Sequence, residues 1–161
     1  MTETQKKLRD AATQMKLALK NHRDLDVVRS CVNSFISHGR SVTFVMQKES
    51  AKHPALLQWY NAEMEILKKE PIMHFFNELR VHTIHKGVVS PEVQTTKAYN
   101  LEINGVPQPG EGVVEFLRFK EAAEHLPGDS GGVYRLCEKY FLILKGLVNL
   151  WLAKRHELRI R

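Results

Sequence analysis

The chain has 161 residues, 43% hydrophobic and 26% charged, with a net charge of +6 and a pI near 9.4. That length suits one domain able to bury a core without disulfide or metal staples, and the composition is that of a soluble globular protein. A basic surface favours polyanionic partners but sets no sequence specificity.

The opening residues, Met1 to Lys7, lack the apolar run of a signal peptide, so the expected compartment is the cytoplasm. From about Glu3 to Lys20, Leu8, Ala11, Ala12, Met15 and Leu19 recur at helical spacing, which predicts a first amphipathic helix. A second runs from about Asp24 to Glu49. Asp24 and Asp26 suit its positive end, and Val28, Cys31, Val32, Phe35, Val42, Val45 and Met46 form its apolar stripe. Gly39 lies midway, where a kink or a close helix contact is expected, and Asn33, Ser34, Ser37, Arg40 and Ser41 make a polar second face.

His53-Pro54 marks a turn, and a third helix follows over about Ala55 to Lys69 with Leu56, Tyr60, Met64 and Leu67 inward. Pro71 opens a fourth helix that ends at Gly87. From Val88 to Phe119 the texture changes to prolines, glycines and alternating β-branched runs around Asn104-Gly105, which predicts a β-hairpin inserted between helices. Leu126-Pro127-Gly128 resets the chain, with Asp129 or Ser130 as the expected N-cap of a last helix. Its stripe is Val133, Leu136, Cys137, Tyr140, Leu144, Leu147, Val148 and Trp151. Phe141, Ile143, Leu150 and Leu152 form a second strip, which places this helix at the bundle centre or at a subunit interface. Lys145 and Asn149 interrupt the run, so no membrane span is expected. The expected fold is a mainly α, up-and-down bundle of about five helices with one inserted hairpin. Cys31 and Cys137 lie in apolar patterns and are expected as reduced thiols.

The fourth helix concentrates the polar chemistry. On an ideal helix Ile72, Phe75, Phe76, Leu79 and Thr83 form the core face, while His74, Glu78, His82 and His85 fall within an arc of about 80° on the other side. His74, Glu78 and His82, at successive four-residue steps, could converge on a cation, but without an H-E-x-x-H motif a solvated face is the stronger expectation. No metal and no cofactor is expected. Trp59, Tyr60 and Trp151 fit the core better than a base-stacking platform, and Gly128-Asp129-Ser130-Gly131-Gly132 fits a helix-start turn better than a protease motif.

The segment Phe75-Phe76-Asn77-Glu78-Leu79-Arg80 through His85-Lys86-Gly87 resembles the signature of HEPN domains (higher eukaryotes and prokaryotes nucleotide-binding). The setting of long helices on either side is similar too. The resemblance implies a helical bundle that dimerises and brings two Arg-x4-6-His motifs together. Many such domains are metal-independent endoribonucleases of toxin–antitoxin or antiphage systems, and others only bind. Arg80 and His85 are then the expected catalytic pair, with Asn77, Arg40 and His82 as substrate contacts. RNA, a second copy of the chain and an antitoxin protein are the implied partners.

RNA carries its own nucleophile, the 2′-hydroxyl. A histidine can move protons to and from the 2′- and 5′-oxygens, while an arginine fork stabilises charge developing on the phosphate. On an ideal helix Arg80 and His85 diverge by about 140°, which a twofold dimer or unwinding before Gly87 would relieve. Val81 follows the arginine where active members commonly carry Asn, Asp or His. The alternatives are therefore a non-catalytic dimeric interaction module and, behind it, a metal-dependent protein.

Overall fold

A computed structural model of the chain describes residues 1–85, 87–103 and 106–160, with 97–103 and 106–114 as backbone only. The order is α1 (Glu3–Lys20), α2 (Leu25–Ser50), α3 (Pro54–Leu67), α4 (Pro71–His85), β1 (Glu92–Ile103), β2 (Val106–Arg118), α5 (Ala122–His125) and α6 (Val133–Glu157). The architecture is mainly helical with one inserted hairpin, as the pattern predicts. The addition is α5, a single turn between hairpin and last helix. The Asn104-Gly105 turn lies outside the described residues.

Polar side chains set the helix ends. Thr2 accepts from the Gln5 N–H at 3.1 Å while the Gln5 side chain accepts from the Thr2 N–H at 2.8 Å. This capping box satisfies two otherwise orphaned groups at the start of α1. Asp24 caps α2 by accepting from the N–H groups of Asp26 and Val27 at 3.2 and 3.1 Å. The start of α6 departs from expectation, because its N-cap is Gly132 and no side chain caps it. Asp129 instead accepts from the Gly131 N–H at 2.9 Å and pairs with Arg135 and, at 3.6 Å, with Lys139. The physical reason is the hairpin base. Gly131, at φ +73°, offers its carbonyl to the Phe119 N–H at 2.9 Å, and Gly132 bridges to Arg118, so both residues are held by the hairpin base and the helix begins only after them.

The first two helices form an antiparallel pair. Glu49, near the end of α2, accepts from the Thr4 N–H at 3.2 Å and the Thr4 hydroxyl at 2.6 Å. Buried Trp151 of α6 donates to Ser50 at 2.9 Å. The packed stripe of α1 runs through Thr4, Leu8, Ala11, Met15 and Ala18, and Leu19, expected inward, is 52% exposed. One residue is about 100° of helix, enough to carry Leu19 off that face.

Five aromatic rings tie α2, α4 and α6 together. Tyr140 stacks on Phe76 with centroids 4.2 Å apart and planes 7° from parallel. Phe35 meets both rings edge-on, at 6.0 Å from Tyr140 and 6.1 Å from Phe76, and Phe119 closes on Phe75 at 5.6 Å. Gly39 makes this possible, since a Cβ there would lie 2.6 Å from Cε1 of Tyr140. Its role is close approach of α2 to that ring. The hairpin pairs antiparallel from Glu92↔Arg118 to Ile103↔Val106, with one irregularity between Tyr99 and Leu101.

Gly39→Ala is expected to lower the unfolding free energy by about 1–3 kcal/mol despite alanine's better helix propensity, because the ring cannot retreat from its stack. Chemical denaturation measures this, and a neutral or stabilising result would contradict the packing described. Burial also pushes the Cys137 thiol and the Tyr140 phenol up. Their protons are held in the fold after the unfolded chain begins to release them, so stability is full below that range and falls as pH rises above about 9. A urea midpoint that stays flat between neutral and strongly alkaline pH would exclude this linkage.

Candidate functional site

The core face of α4 is set by Phe75, Phe76 and Leu79, all buried. The Thr83 hydroxyl turns back to the Leu79 carbonyl at 2.8 Å, leaving the outer faces to the charged and imidazole groups. The helix ends at His85, and Gly87, at φ +106°, lets the chain reverse, a conformation that favours glycine. The reversal is held by Asn33 of α2. Its amide donates to the Val89 carbonyl at 2.7 Å and its carbonyl accepts from the Val89 N–H at 2.9 Å. Asn33, on the polar second face of α2, is thus a clamp on the segment that follows α4.

The residues expected to work together are divided. Arg40 and Asn77 line one cavity with Thr43, Lys68, His74 and Tyr140, over a floor of Met64, Leu67 and Met73. His82 and His85 open onto a second cavity of about 400 Å³, between α4 and α5, shared with Glu78, Lys120, Glu121, Glu124 and His125. Arg80 lines neither of these two cavities. A single protomer therefore does not bring Arg80 and His85 together in either cavity, as their angular separation on the helix anticipates.

Electrostatically the two cavities differ. The first is lined by a guanidinium, an ammonium and an imidazole, with no carboxylate. The second holds three carboxylates, and both Glu121 oxygens are buried without a hydrogen-bond partner. Arg80 is half-buried and takes no hydrogen bond or ion pair among the described residues, so it does not cap a carboxylate between helices. His85 is exposed, as are Val81 (41%), Ile84 (57%) and Val88 (68%) beside it. The stripe of His74, Glu78 and His82 is split between the cavities, and among the described residues no group of three or more His, Cys, Asp or Glu is placed to hold a metal ion. Among the described residues no helix is long and apolar enough to cross a membrane.

A family model described as bacteriophage lambda protein ea47 matches residues 1–93, more than half of the chain. The chain belongs to the Ea47 family. No curated protein and no solved structure matches it. The Ea47 match spans α1 to α4 and thus holds Arg40, Asn77, Arg80, His82 and His85, whereas α5 and α6 contribute their cavity walls from outside it.

Sequence reasoning passed over Lys68, Lys120, Glu121, Glu124 and His125, and it read Tyr140 only as core. The run Lys120-Glu121-Ala122-Ala123-Glu124-His125 carried a usable signal, since its polar groups recur at one helical turn just before Leu126-Pro127-Gly128. Asn33→Ala is expected to cost about 1–3 kcal/mol, because it leaves a buried N–H and C=O of Val89 unpaired. Amide exchange at residues 83–89 should quicken with it, and unchanged exchange there would show that the clamp does not hold the end of α4.

Proposed function

We propose that the chain is a HEPN-like protein that acts on RNA as a homodimer, a metal-independent endoribonuclease whose site is composed of Arg80 and His85 from two copies. The observation that carries this reading is Arg80 itself, a half-buried guanidinium that no described group holds. Such a fork is suited to a phosphate with its donors uncommitted. The exposed apolar strip of Val81, Ile84 and Val88 interleaves with the pair, and a second copy covering that strip about a twofold axis would supply each arginine with a histidine from its mate.

In that site the RNA 2′-hydroxyl attacks phosphorus, the bond to the 5′-oxygen breaks, and a 2′,3′-cyclic phosphate forms. His85 takes the proton from the 2′-hydroxyl and passes it to the departing 5′-oxygen, while Arg80 stabilises the charge on the phosphate in between. His82 shares the His85 cavity and supplies a second imidazole to the substrate. The setting implied by the HEPN resemblance is a toxin–antitoxin or defence system, with an antitoxin protein as the further partner.

Val81 favours a second reading. An apolar residue directly after the arginine, itself exposed, fits a non-catalytic dimeric interaction module that uses the same strip without chemistry. Cleavage of a mixed RNA in EDTA separates the two. The first reading expects Arg80→Ala and His85→Ala each to reduce cleavage by about 10²-fold or more with helicity retained, as both side chains lie outside the core. A dimer that neither cleaves RNA nor binds it in a salt-dependent way is the interaction module.

A further inference from the structure

The cavity lined by Arg40 and Asn77 has chemistry of its own. Its volume is about 210 Å³, below the roughly 300–1,000 Å³ of pockets that take drug-sized ligands, so it admits something small. Arg40, Lys68 and His74 line it without a carboxylate, while Met64, Leu67 and Met73 form an apolar floor. Thioether side chains adapt to the shape of a small ring or chain.

The deciding group is Tyr140. It is 4% exposed and lines the cavity, and its hydroxyl, which makes no hydrogen bond among the described residues, is not sealed off but opens into that cavity. The polar ends of Tyr60 and Trp151 are committed within the protein. Tyr60 donates to the Thr43 carbonyl at 2.9 Å, and Trp151 donates to Ser50 at 2.9 Å. The Tyr140 hydroxyl is thus a donor in the cavity wall that no described protein group has committed. Burial pushes this phenol up, against the opposing pull of the Arg40 guanidinium, so the hydroxyl stays a donor at any physiological pH.

The cations are equally available. Arg40 spends one donor on the Thr43 hydroxyl at 2.9 Å, which leaves the rest of its fork free and orients it. Lys68 pairs with Glu65 at 2.5 Å, but both side chains are well exposed, and such pairs are readily exchanged for a better anion.

We propose that this cavity binds a small phosphomonoester, its phosphate held by Arg40, Lys68 and the Tyr140 hydroxyl and its organic body laid on Met64, Leu67 and Met73. Asn77 at the rim supplies an amide to the polar edge of that body. The site requires no strand cleavage and stands whether or not Arg80 and His85 act on RNA.

Titration calorimetry on the full chain tests it, with uridine 5′-monophosphate and phenyl phosphate as probes and uridine and inorganic phosphate as references. Both monoesters are expected to bind at least about tenfold more tightly than uridine or phosphate alone. Tighter binding of the nucleotide than of phenyl phosphate assigns the organic body to a nucleoside, and equal binding assigns the site to ring phosphomonoesters in general. Arg40→Met should weaken binding by about tenfold. Tyr140→Phe, which keeps the stack on Phe76, should weaken it by several-fold without lowering the melting temperature. The proposal is overturned if neither monoester binds at millimolar concentration, if uridine or phosphate binds as tightly as the monoesters, or if both substitutions leave affinity unchanged.

Discussion

The seat of the Tyr140 ring is the contact on which the rest of the structure depends. One face stacks on Phe76 of α4, Phe35 of α2 meets it edge-on, and Gly39 brings the α2 backbone against its edge. Three helices are thereby fixed around one side chain of α6. Ring contacts of this kind each contribute about 0.5–1.5 kcal/mol beyond the area they bury, and here they share members, so loss of one loosens the others. The same ring also forms a wall of the phosphate-sized cavity. Core packing and the proposed binding chemistry therefore meet in one residue.

Much of the fold was legible in the sequence because local rules and tertiary packing agree. Five long helices, the proline at the start of α4, the glycine beyond its end and the alternating runs of the hairpin all follow from periodicity and turn chemistry. The failures have a common cause. Gly132 caps α6 in place of Asp129 or Ser130 because the hairpin base engages Gly131 and Gly132 in strand-like contacts, a constraint that comes from residues over ten positions away. Leu19 reads as apolar stripe but lies one residue off the packed face, a distinction settled only by which neighbour α1 meets.

The candidate site was legible in a different measure. The divergence of Arg80 from His85 follows from helix geometry alone, and the structure keeps it. The partition of Arg40 and Asn77 from His82 and His85 was not legible, since it depends on α3 and α6 walling one side of α4 while α5 walls the other. Asn33 shows the same limit from another angle. A polar residue on an inward helix face reads as a candidate ligand contact, and only its distances to Val89 reveal that a loop backbone is what it binds.

The hairpin has an electrical consequence. Residues 92–118 carry four glutamates against one lysine and one arginine, so this arm is acidic while the helical body holds all of the chain's positive excess. The two strands pair at eleven positions, so this acidic segment is held as one antiparallel ribbon and not spread over the helices. Near a polyanion such a molecule is turned before it touches, with the helices drawn in and the arm repelled to the far side. Encounters then begin from the bundle, and the arm is left facing whatever else is in solution.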